Sequence, residues 1–218
     1  MSNILLKLIF LISILLVLKT SAQQSDLSIS VNQISNYIAS DNFLNLKENI
    51  NDISATDSIF TKAVIFCDGD IGDALLALMF ATVPYREVPI ELPFLSSIVY
   101  FPLTSADEVT FLKKNENLPK YLFFDSPQNN YGDKDKLAHF FGSAFLSYES
   151  NIFDLGKLIG YFVEVFEESF KVQSSADLRD LDVNDYGRLF GESLKEDNKL
   201  LPSQFFLFRS IRFLRVTL

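Results

Sequence analysis

Apolar residues recur along most of this chain at intervals of three and four, the spacing that gathers them on one side of a helix. Leu27, Val31, Ile34 and Ile38 form one such stripe, although Ile29 also suits an alternating strand. Phe43, Leu46, Ile50 and Ile53 form a second, begun at Asp41-Asn42. Thr56-Asp57 can cap a helix carrying Ile59, Ala63, Phe66 and Cys67. Gly69 interrupts it, Asp70 opens another through Ile71, Ala74, Leu75, Leu78, Ala81 and Thr82, and Pro84 stops that one. Between residues 85 and 128 the rhythm changes. Val88–Leu92 and Ser97–Phe101 read as extended segments able to pair as a hairpin, with prolines confining them to edges. Ser105 can cap a helix from Ala106 to Lys114, Tyr121–Phe124 is a short buried run, and Ser126–Asp133 is a turn-forming loop. Helical periodicity returns in Lys134–Tyr148, Ile152–Phe170 and Leu181–Leu194. The tail then alternates Phe, Leu and Ile with Arg209, Arg212 and Arg215, which share one helical face. It reads as a packed final element or as a basic amphipathic segment lying on lipid.

This pattern predicts a mainly α protein in four parts: a signal segment (1–22), a helical-hairpin region (23–84), an extended, proline-punctuated connector (85–132), and a three-helix domain with its tail (133–218). In the first part Lys7 precedes an apolar run, Leu8 to Leu18, and Thr20 and Ala22 occupy the −3 and −1 positions of a cut before Gln23. That layout is a secretory signal; the run is short of the roughly 20 residues of a membrane span. The expectation is an exported protein, periplasmic or associated with the cell envelope.

Charge and cysteine count narrow the chemistry. The segment before Gln23 holds two lysines and no acid, so the remainder carries 17 basic against 28 acidic residues. Such a chain as a whole repels nucleic acid and anionic headgroups, and no nucleic-acid partner is expected. A single cysteine, Cys67, excludes an internal disulfide framework and a zinc–thiolate cluster. Asp68-Gly69-Asp70 lacks the later ligands of a calcium loop and reads as a turn. Asp177, Asp180, Asp182 and Asp185 read as a solvated helix start or a calcium-binding run.

The polar residues of the last part have helical spacing. Asp135 and His139 are four apart and share a face, where a carboxylate can hold the imidazole in one tautomer. His139 is the only histidine. Gly156, Gly160, Glu164 and Glu168 recur every four residues, with Glu167 beside them. Asp180, placed to cap its helix, precedes Asn184, Gly187 and Gly191. Glycines on the same stripe as carboxylates imply close helix contacts that carry those acids inward, where each must be paired, hydrogen-bonded or protonated.

Two resemblances attach to these patterns. The segment around Gly69-Asp70 resembles a single tetratricopeptide-type hairpin, with Ala74, Leu78 and Ala81 at matching positions. The preceding pair, however, would repeat at about 28 residues against the usual 34 or so. Asp135, Lys136, His139 and Phe140, then Gly160, Glu164 and Glu167, then Asp180, Asn184, Gly187 and Gly191 resemble the ordered motifs of VanZ-like and YfiM-type envelope proteins. That resemblance spans residues 133–192 and implies a helical envelope domain with clustered polar residues; it implies no particular activity. VanZ-like proteins are multi-span, whereas here the same helices carry Glu149, Asp154, Glu167, Glu168, Lys171, Arg188 and Glu192.

Three uses of the cluster stay open. One is a buried polar network that fixes helix register. Another is a hydrolase-like or metal-dependent site acting on an envelope lipid or phosphate ester. His139 would be its base or ligand, Glu164 its acid or second ligand, Asp180 its orienting group, and Asp135, Lys136, Glu167 and Asn184 would contact the ligand; Lys136 suggests recognition of an anion near the helix start. The third is an interaction scaffold that receives a protein partner through residues 26–84. Neither cofactor nor metal is fixed by the pattern.

Overall fold

The computed structural model describes residues 25–92, 97–149 and 178–217. Among them are α1 (Asp26–Ala39), α2 (Asp41–Asn49), α3 (Asp52–Phe66), α4 (Ile71–Thr82), β1 (Glu87–Leu92), β2 (Ser97–Pro102), α5 (Glu108–Asn117), α6 (Lys134–Glu149), α7 (Leu178–Leu194) and α8 (Pro202–Thr217). The protein is mainly α, as its periodicity predicts. No helix among the described residues is long and apolar enough to cross a membrane.

Local chemistry sets the helix starts. Ser25, Ser40, Asn51, Asp70 and Asp107 each stand just ahead of a helix and accept backbone N–H groups that have no partner within it. Two expected boundaries move for this reason. Asn51 Oδ1 accepts from Ser54 N at 2.8 Å, so α3 begins before Thr56-Asp57, and Ile50 and Ile53 do not belong to α2. Thr56 instead bonds back to Asp52 O inside the helix, and Asp57 accepts from Ser203 N at the start of α8. Likewise Asp107, not Ser105, caps α5, which runs on to Asn117. The turn between α3 and α4 lies at Asp68 and Gly69, both at positive φ (53° and 92°), a conformation that suits glycine.

β1 and β2 pair antiparallel from Glu87↔Pro102 to Leu92↔Ser97, the hairpin that the extended segments predict. Pro89 and Pro102 cause no conflict, since a two-stranded sheet has two open edges. One apolar cluster runs from Val31 in α1 to Phe206 in α8. The change of pattern near residue 84 is therefore a change of local structure inside a shared core. Its centre is aromatic: Phe140 lies 4.5 Å from Phe206 and 5.3 Å from Phe190 between ring centroids, and Phe60 packs edge-on against Phe190.

In α8 Arg209 turns inward. It is 6% exposed, makes a two-pronged bond to Asp125 at 2.5 and 3.0 Å, and lies over the Phe123 ring. Of the two readings of the tail, this favours the packed final element at Arg209 over a lipid-facing stripe. The guanidinium bond holds the Asp125 carboxyl below its usual range.

Candidate functional site

α6 and α7 run side by side in the same direction, and their closest approach is made by glycines. A Cβ on Gly187 would run into the carbonyl oxygen of Phe140, and one on Gly191 into that of Ala144. Backbone meets backbone there, which is what the small-residue stripe of α7 implies. Ser147 Oγ strengthens the contact by donating to Arg188 O at 2.8 Å.

That approach brings the polar faces together at one end of the pair. Lys136 Nζ lies 2.5 Å from Asp180 Oδ1 and 3.0 Å from Asp135 Oδ2, with the lysine side chain 4% exposed. Burial alone would lower the Lys136 pKa, but Asp135 and Asp180 together raise it above its usual value, so this lysine is charged. His139 Nδ1 lies 3.2 Å from Asn184 Oδ1, which also accepts from Ser143 Oγ at 3.1 Å. With the amide oxygen as shared acceptor, the imidazole carries its proton on Nδ1. Its Nε2 faces the Asp180–Lys136 pair, 3.9 Å from Asp180 Oδ1. Burial, opposed by the acids and reinforced by Lys136, pushes the His139 pKa below its ordinary value and favours the neutral ring.

His139, Asp180, Asp135, Lys136 and Asn184 are thus brought together, as their spacing implies. Glu164 and Glu167 lie outside the described residues, as do Gly156, Gly160 and Asp177. Three individual roles change. Asp180 stands inside the first turn of α7 rather than ahead of it, and its carboxylate receives Lys136. Asp135 holds Lys136, while the residue bonded to the His139 Nδ1 is Asn184. Lys136 faces two carboxylates, so it is not presented to an anion. Among the described acids of α7, Asp182 points away from Asp180's partner Lys136 and pairs with Arg209 at 3.4 Å.

Sequence reasoning missed Tyr85 and Tyr131. Both feel the charges of Asp135 and Asp180: desolvation first, then for Tyr85 its neighbour Tyr131, and then those carboxylates raise both phenol pKa values. No local pattern marks them, because they reach the cluster from the segment before β1 and from the loop before α6. A second charged group lies below: buried Asp133 binds Ser126 Oγ and Arg179 Nη1, tying the 123–133 loop to α7.

Among the described residues Asp135, His139 and Asp180 are the acid–histidine trio with the reach for a metal ion, their ligand atoms lying within 4.8 Å of one another. The Lys136 ammonium touches both carboxylates of that trio. The donor set is therefore already partly neutralised by a cation of the chain itself, and one imidazole with two carboxylates is a poor nitrogen complement for zinc.

No family model, no curated protein and no solved structure matches this chain.

Proposed function

We propose that this is an exported, cell-envelope-associated protein in which Asp135, Lys136, His139, Asp180 and Asn184 form a polar network holding α6 and α7 in register. One observation carries the network reading: Lys136 Nζ sits against both Asp135 and Asp180 and takes the place a bound cation would have. A buried ion pair of this kind specifies which positions of two helices meet more than it adds net stability. Export rests on the Lys7, Leu8–Leu18 and Thr20–Ala22 layout. Mass spectrometry of the protein recovered outside the cytosol is expected to give Gln23 as its first residue. An intact Met1 there would refute cleavage.

His139→Gln tests the network. The variant is expected to melt lower, by the equivalent of about 1–2 kcal/mol, with metal content equal to that of the wild type. An unchanged melt with loss of bound metal would overturn the reading.

The neutral imidazole favours a second reading, a hydrolase acting on an envelope lipid or phosphate ester. His139 Nε2 would serve there as base beside Asp180, with Glu164 as acid and Asp135, Lys136, Glu167 and Asn184 around the ligand. That reading requires His139→Gln to abolish phosphate-ester hydrolysis while leaving the melt in place. The interaction scaffold has weaker support, since the apolar faces of α1, α3 and α4 are buried in the core.

A further inference from the structure

The outer side of α1 is its polar one. Val31, Ile34 and Ile38 anchor the inner side in the core. On the outer side Ser28, Asn32 and Asn36 follow one another at intervals of four, with Ile29 and Gln33 beside them. Across from these residues stands the entry to α5. Between the two lies an open groove of about 590 Å³, bounded on its far side by Ser105 and Asp107. That volume falls within the roughly 300–1,000 Å³ of small-molecule sites.

Both walls are fixed before any ligand arrives, which lowers the cost of binding. Asn36 Oδ1 accepts from Thr110 Oγ1 at 3.3 Å and its Nδ2 donates to Asn32 O at 2.9 Å, tying α1 to α5. Asp107 Oδ1 accepts the Val109 and Thr110 N–H groups at 3.0 and 3.1 Å, which holds its exposed carboxylate at the rim. Arg86 braces the loop ahead of it, donating to Ser105 Oγ and Ala106 O, each at 3.4 Å, with its guanidinium over the Phe111 ring. The side-chain amides of Asn32 and Gln33, by contrast, bond no protein group among the described residues.

The lining narrows the ligand. Its charge is the Asp107 carboxylate, which opposes an anion, and a lone carboxylate does not hold a divalent cation. Its apolar surface is Ile29, 40% exposed, too little for a hydrophobic molecule. What the groove offers is amides and hydroxyls that both donate and accept, one strong acceptor, and one aliphatic patch. A neutral sugar matches that set, with hydroxyls for the polar groups and a C–H face for the isoleucine. A peptide gains most by extending a strand edge or filling apolar pockets, and this wall of helix side chains has neither. We propose that the groove between α1 and α5 binds a neutral oligosaccharide: Asn32 and Gln33 bond its hydroxyls, Asp107 accepts from another, and Ile29 lies under a ring face. The site shares no residue with the His139 network and does not depend on what that network does.

Heteronuclear NMR titration of the full chain with chitotriose, maltotriose and cellotriose, each to about 10 mM, tests the groove; a site with a Kd on the order of 1 mM is then about nine-tenths filled. At least one sugar is expected to move the side-chain amide resonances of Asn32 and Gln33. Asn32→Ala should weaken that binding about three- to tenfold, and Asp107→Ser, which keeps an oxygen to cap α5, about tenfold or more. The exposed control Lys113→Gln should bind as the wild type does. Since the Asn32 side chain bonds no protein group, Asn32→Ala should melt with the wild type, and it decides the matter if Asp107→Ser proves less stable. Capped triglycine is the peptide probe. A response to triglycine alone, no shift of the two amides with any sugar, or sugar binding undiminished in Asn32→Ala would overturn the proposal.

Discussion

Where α4 packs with α1 and α3, the contact is made of volume: Ala74, Leu75, Ala77, Leu78 and Ala81 are buried in one cluster with Val31, Ile34, Ile59 and Ala63, and every side chain named is apolar. Where α6 meets α7, Gly187 and Gly191 remove side chains, and Lys136, His139, Ser143, Asp180 and Asn184 supply directed bonds. The first kind of interface tolerates a shift of register at modest cost, because one aliphatic contact resembles the next. The second does not, since a slip of one position leaves a buried ammonium and carboxylate apart. The difference assigns specificity of packing to the polar end and bulk stability to the apolar one.

The largest effect that separates the two is expected at Gly191. Val at this position meets a backbone carbonyl and cannot be absorbed by a rotamer change, so Gly191→Val should exceed the roughly 1–3 kcal/mol usual for an overpacked site and broaden the thermal transition. Lys136→Met comes next. It strands Asp180 with 12% side-chain exposure, and a loss of about 3–5 kcal/mol is expected by chemical denaturation. Leu78→Ala, in the apolar interface, should cost about 2–5 kcal/mol, but with no partner change able to restore it. A pH effect belongs to neither interface. Lys114 is buried against Val83 O, and desolvation lowers its pKa to about 7. The folded state therefore binds fewer protons than the unfolded state from about pH 7 up to the ordinary lysine range. Stability should rise with pH across that window and reach its low plateau below it; denaturation midpoints should show the rise in the wild type and lose it in Lys114→Met.

Much of this comparison was legible in the pattern of residues. The Ala and Leu positions of α4, the Gly69 turn, the β-hairpin and the glycine stripe of α7 are local features, and local features repeat at helix or strand period. The co-location of His139, Asp180 and Asn184 was legible for the same reason. What escaped depends on distant partners. Asp57 looks like the cap of its own helix but caps α8, and Arg209 looks like surface charge but is drawn inward by Asp125. Lys136 looks available to a ligand, yet a flexible four-carbon stem lets it fold back onto two carboxylates that face it only after α6 and α7 pair. Tyr85 and Tyr131 carry no periodic signal at all.

The most direct test is a double-mutant cycle on Lys136 and Asp180, using Lys136→Met, Asp180→Leu and both together, with unfolding free energy read from denaturant titration. A lysine that supplies the cation of the cluster predicts strong coupling: each single change is severe, and the double variant recovers more than about 1.5 kcal/mol of their sum. Additivity within about 0.3–0.5 kcal/mol would contradict it, and would return the trio of Asp135, His139 and Asp180 to the role of a ligand-binding site.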